Sequence, residues 1–202
     1  LGAHSRRLAG GRVMTNALWY LGRGTGVVTL VLFSLVVALG IATRSARPVF
    51  GLPRFAVAWV HRGASLLSLV FLTIHVGTML LDPYAPLRLL DVVLPFAGPY
   101  RSFWLGLGTV AAELLVAVLV TSLLRQRVGH RVWRFVHWAA YLSWPVAVAH
   151  ALGTGTDNGS LWLWLVAACC VGLVVACAAW RLSTGFAVRP REVVARQLAG
   201  VR

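Results

Sequence analysis

"HRGASLLSLVFLTIH", residues 61–75, places a histidine at each end of a run that is otherwise almost wholly apolar, with Arg62 beside the first. Ionisable groups at membrane depth are costly, and they are retained where they serve a function. The stretch lies inside a longer apolar window at about residues 55–81. Four similar windows lie at about 26–43, 103–124, 133–152 and 161–180. Each approaches the roughly 20 residues that a spanning helix needs. With 59% hydrophobic residues and a mean hydropathy of +0.79, the chain is expected to be all-α, an integral membrane bundle of about five transmembrane helices.

All 19 basic residues are arginines, giving a net charge of +14. In a soluble chain that charge would suggest nucleic acid. Here almost every arginine lies between or beyond the apolar windows, so topology signals and lipid headgroups are the expected partners, and nucleic acid is not. Twelve arginines fall in the first connection, the third connection and the C-terminal tail, against six in the N-terminal segment and the second connection. The positive-inside rule then predicts an external N-terminus and a cytoplasmic C-terminus. The expected division is residues 1–24 as an extracytoplasmic or interfacial segment, 25–182 as the membrane domain and 183–202 as a basic cytoplasmic tail. "TNALWYLGRG", 15–24, is mildly amphipathic, in keeping with an interfacial helix. "LGAHSRRLAGGR" has no apolar signal-peptide core, and a leucine at position 1 suggests a trimmed chain.

Of six histidines, four lie in two windows: His61 and His75 in the second, fourteen residues apart, and His137 and His150 in the fourth, thirteen apart. Either interval is roughly 20 Å along a helix axis. One helix intervenes, so the two run in the same direction, and His61 is expected to face His137 at one depth and His75 to face His150 at another. Two imidazoles facing each other are what a six-coordinate haem iron requires. Fourteen residues leave the first pair about 40° apart around an ideal helix, whereas thirteen leave the second about 140° apart. A kink at Pro145 is the expected remedy. The competing readings are hydrogen bonds between helices and a proton relay, although Glu113 is the only carboxylate within a window. With no CxxCH sequence, the expected group is non-covalent b-type haem.

The histidine spacing, together with "RVWRFVHWAAYLSWPVAVAH" at 131–150, resembles the ferric-reductase-like transmembrane domain. A tryptophan stands four residues before the first histidine of that stretch and a tyrosine four after it. "WYLGRGTGVVTLVL" at 19–32 and "DPYAPLRLLDVVLPF" at 82–96 look like its stand-alone actinobacterial branch. That superfamily includes NADPH oxidases, ferric reductases and the haem-binding subunit of methionine sulfoxide reductase systems. The resemblance implies a membrane cytochrome b subunit of an oxidoreductase in a bacterial plasma membrane. It implies two haems, with His61 and His137 as inner ligands and His75 and His150 as outer ligands. It also implies a cytoplasmic flavin-containing reductase as donor and an extracytoplasmic acceptor, whether a ferric complex, oxygen, quinone or flavoprotein. No glycine-rich nucleotide fingerprint is present, so FAD or FMN is expected only on the partner. The alternative is a non-catalytic haem-binding subunit, serving as a sensor or assembly component.

Arg62 and Arg134, near the inner layer, are candidates for haem propionates, and Arg101 and Arg88 are their outer counterparts. Phe71, Ser143 and Trp144 fall at depths between the layers, and Gly63, Ala64 and Gly77 would permit close approach. Glu113 is expected to be neutral and hydrogen-bonded. The "LGTGTDNGS" loop, 152–160, is a candidate docking point for an acceptor. Cys169, Cys170 and Cys177 are expected to be buried apolar residues.

Overall fold

The computed structural model describes residues 2–45, 49, 51–83, 87–154 and 159–183, with backbone alone for 2–15. The described helices are α1 (Gly2–Ala42), α2 (Arg54–Leu81), α3 (Leu89–Val93), α4 (Ser102–Leu123), α5 (Arg125–Thr154) and α6 (Leu161–Leu182). No sheet occurs among the described residues. The chain is thus an all-α membrane bundle. The tail from 184 onward and loop residues 155–158 lie outside the described residues.

Four helical segments are long and apolar enough to cross a membrane: Asn16–Ala42, Arg54–Leu81, Ser102–Leu123 and Leu161–Leu182. The remaining window expected from the sequence lies in α5, which is 30 residues long but falls short on composition. Its first half carries Arg125, Arg127, Arg131, Arg134, His130 and His137. The N-terminal segment is not a separate interfacial helix, because α1 runs without interruption through residue 24.

Local chemistry sets the helix ends. Pro53, with φ −69° and ψ 155°, precedes the first residue of α2, and Asp82 ends that helix in extended geometry ahead of Pro83. The Asp91 carboxylate accepts from the Arg88 backbone N–H at 3.0 Å and from its guanidinium at 3.3 Å, which starts α3. The backbone bond and then the Arg88 charge hold the Asp91 carboxyl below the usual carboxylate range, against the opposing effect of burial. Gly129 interrupts α5 with φ 79° and ψ 159°, angles that suit glycine. Pro145 lies inside α5 with helical φ/ψ.

α1 is the hub. It packs on α2, α5 and α6, while α4 packs on α5 and on the short α3. The core joins Leu30, Phe33, Val37 and Ile41 of α1 to Trp144 and Val148 of α5 and to Cys170 and Val174 of α6. Lipid is as apolar as leucine, so burial alone drives little association, and close packing and interhelical hydrogen bonds matter more. One such bond runs from Trp144 Nε1 to Ser34 Oγ at 2.9 Å. Bonds of this kind contribute about 0.6 kcal/mol on average and up to about 1.7. Trp144 therefore belongs to the α1–α5–α6 core, Ser143 is also buried, and Phe71 is half-buried. Cys170 is buried as expected, whereas Cys177 is half-buried and Cys169 exposed.

Candidate functional site

Three of the four membrane histidines are anchored in the same way. His61 donates Nδ1–H to the Val36 carbonyl at 3.0 Å, His75 to the Gly22 carbonyl at 2.7 Å, and His150 to the Trp104 carbonyl at 2.8 Å. Thr154 Oγ1 lies 3.1 Å from the same nitrogen of His150. In each case the residue four positions after the accepting carbonyl is a glycine: Gly40, Gly26 and Gly108. A Cβ added at Gly26 would lie 2.9 Å from His75 Cε1, and one at Gly108 would lie 2.5 Å from His150 Cε1. At Gly40 the gap to His61 Cε1 is 3.4 Å. The bare glycine lets the ring lie against the helix backbone and reach a carbonyl one turn earlier. With Nδ1 as donor, the tautomer is fixed and Nε2 keeps its lone pair. Among the described residues no hydrogen bond engages those Nε2 atoms.

His137 differs. Its Nδ1 is buried without a partner among the described residues, and its ring stacks on Trp133 at 5.0 Å between centroids and 27° between planes. The thirteen-residue interval carries it about 140° round the helix from His150, off the face that α4 covers.

His137 interacts through space with His61, and His150 with His75. α2 packs closely on α1 and α5 on α4, while α2 and α5 make no extensive backbone contact with each other. His61 and His75 of α2 lie against α1, and His150 of α5 lies against α4. No three His, Cys, Asp or Glu side chains form a metal-binding cluster among the described residues. The arrangement is two pairs rather than one polydentate centre.

The arginines divide. Arg62 and Arg134 are exposed and without hydrogen bonds or ion pairs among the described residues. Arg101 instead caps the end of α5, its Nη1 donating to Gly153 O at 3.0 Å and Thr154 O at 3.3 Å, which suits a cation at a helix C-terminus. Arg88 is committed to Asp91. Arg44, passed over in the sequence, lies near enough to act electrostatically on His137. Glu113 is exposed on α4. A Cβ at Gly63 or Gly77 would meet nothing within 4 Å.

The anchoring glycines were also missed, although a signal existed. Gly26 and Gly40 stand fourteen residues apart on α1, the same interval as His75 and His61 on the antiparallel α2.

No curated protein and no solved structure matches the chain. Residues 25–148 match the family described as "Ferric reductase like transmembrane component", a stretch that contains His61, His75 and His137 and stops two residues short of His150. With more than half of its length matched, the chain belongs to the ferric reductase like transmembrane component family.

Proposed function

We propose that the chain carries electrons across the membrane through two non-covalent b-type haems, one between His61 and His137 and one between His75 and His150. The observation that supports this most is the anchoring of His61, His75 and His150 through Nδ1, which leaves lone-pair Nε2 atoms on histidines of α2 and α5. A haem supplies an iron that alternates between ferric and ferrous states while bound by one imidazole on each face. The residues fit that group. The fixed tautomers present ligating nitrogens, and the glycines keep the rings close to their helices, as second-sphere partners of metal-bound histidines do. The apolar helices exclude water from the path and confine electrons to the two layers.

The donor is a flavin-bearing reductase on the cytoplasmic side, where the arginine distribution places the α4–α5 connection and the C-terminus. The acceptor lies outside and is a ferric complex, oxygen, a quinone or a flavoprotein. Proteoliposomes loaded with reduced flavin test this reading. External ferricyanide should be reduced with the wild type, and His75→Leu and His137→Leu should each abolish the flux. An unchanged flux with His75→Leu would refute the ladder.

A further inference from the structure

The segment of α5 leading to His137 holds an aromatic column that haem ligation does not require. His130, Trp133 and His137 recur at intervals of three and four residues and so share one helix face. The His130 and Trp133 rings lie 5.2 Å apart between centroids, and the Trp133 and His137 rings 5.0 Å apart. His130 is exposed, Trp133 half-buried, and His137 has its Nδ1 fully enclosed. The column therefore runs from the surface of the α4–α5 corner to a proposed ligand. Its central ring is held from two sides: Trp133 Nε1 donates to Ser122 Oγ of α4 at 3.2 Å, and the Arg125 guanidinium lies 5.5 Å from the indole centroid. The break at Gly129 separates the turn bearing Arg125 from the rest of α5.

Four exposed arginines, Arg125, Arg127, Arg131 and Arg134, lie on the same stretch of α5 as the column. The described carboxylates, Asp82, Asp91 and Glu113, lie on other parts of the chain. Such a surface attracts an acidic face and steers its approach. Arginines alone would equally suit lipid phosphates. An exposed imidazole in tilted ring contact with an indole that itself stacks on His137 has no use in headgroup binding.

We propose that the His130–Trp133–His137 column is the electron entry route, and that its arginine-rich end is the docking surface for an acidic flavoprotein donor. This rests on the reading of His61 and His137 as haem ligands. With a haem held between His61 and His137, one electron would pass from the donor's flavin hydroquinone, leaving its semiquinone, to the haem iron, reduced by one electron. Only the electron crosses between the proteins, and any proton the flavin gives up goes to water on the donor side. The Arg125 charge over the indole makes that ring harder to oxidise, so Trp133 bridges the gap without losing an electron itself. Electron transfer slows exponentially with the distance between redox groups, and a stacked ring shortens the poorly conducting part of the path. Trp133 and His130 are thus positioning residues acting through His137.

The test is stopped-flow reduction of the full chain in nanodiscs by photoreduced flavodoxin, a small acidic flavoprotein, with dithionite as a reductant that needs no docking. Trp133→Leu should slow reduction by flavodoxin by an order of magnitude or more. Trp133→Phe should restore most of the rate, and both should keep wild-type haem content and midpoint potentials. Arg127→Glu with Arg131→Glu should cut the second-order rate roughly tenfold at low salt and abolish its salt dependence, leaving the dithionite end point intact. A wild-type rate in Trp133→Leu would overturn the column. A charge reversal that weakened binding to anionic vesicles while sparing the flavodoxin rate would assign the arginines to lipid and overturn the docking surface. Absence of haem from the wild type would instead refute the function on which the proposal rests, an outcome seen in the spectrum before any rate is measured.

Discussion

At the α3 end of the bundle both imidazoles, His75 and His150, donate Nδ1–H to a neighbouring helix over a bare glycine. At the α4–α5 corner only His61 does so, while His137 leans on Trp133 with its Nδ1 unpartnered among the described residues. The difference follows from one residue of spacing. Fourteen residues return a side chain close to the same helix face, so His61 and His75 both settle on α1, whereas thirteen do not, so α5 seats only His150 on α4. A ligand whose second nitrogen donates to a carbonyl is held in one tautomer and is the more electron-rich donor. On the proposed function, the His75–His150 layer is the one of fixed geometry, and the His61–His137 layer has one ligand left in contact with the Trp133 ring.

The largest test of this contrast is ligand deletion. His150→Leu should remove one haem and leave the second spectroscopically intact, and His137→Leu should do the converse, as measured by haem per chain and by low-temperature spectra of the remaining band. Loss of both haems from either variant would mean that the layers are not independent. Filling the glycine seats comes next. Gly108→Ala puts a methyl 2.5 Å from the His150 ring and should weaken haem retention at that layer by about 10–100-fold, the usual effect of disturbing a ligand's second-sphere partner. Gly40→Ala, where the gap is 3.4 Å, should cost far less. Equal effects in haem-titration assays would deny that the close approach matters.

Smaller changes distinguish the layers from the scaffold. Trp144→Phe removes the bond to Ser34 and should lower stability by about 1 kcal/mol in a detergent unfolding titration, with both haem bands unmoved. A shifted band would return Trp144 to the space between the layers. The smallest effect concerns acid. The Asp91 carboxyl titrates below its unfolded value, so its contribution is present above the ordinary carboxylate range and fades as pH falls through the lowered native value. Thr109 Oγ1 donates to the Asp91 backbone carbonyl, which ties α3 to the helix that seats His150. Hydrogen exchange across residues 88–97 should therefore rise in acid, and Asp91→Asn should abolish that pH dependence. Uniform loosening at both ends of the bundle would contradict the assignment to Asp91.

The parts legible from the sequence were those carried by composition and by the spacing of rare residues. Apolar windows gave the helices, and the spacing of four histidines marked the two helices, α2 and α5, that carry them. α1 was harder to read, because the polar and glycine-rich residues around 10–24 interrupt hydropathy without interrupting the helix. The anchoring carbonyls left no trace, since every residue has one. Their glycines are visible only when the spacing on α1 is compared with that on α2. Arg101 looked like a propionate partner because charge near a membrane boundary is ambiguous, and only the fold shows it reaching Gly153 and Thr154. The misfit of the thirteen-residue interval was legible, but its remedy was not. Pro145 sits within the helix, and His137 Nδ1 has no partner among the described residues.

The most direct measurement is the reduced-minus-oxidised absorbance spectrum of the purified protein, with haem quantified per chain after expression under ample haem supply. The proposed function predicts a low-spin b-type signal at about two haems per chain, one for each pair of axial imidazoles. A protein free of haem would contradict the ladder and return both histidine pairs to ordinary helix packing.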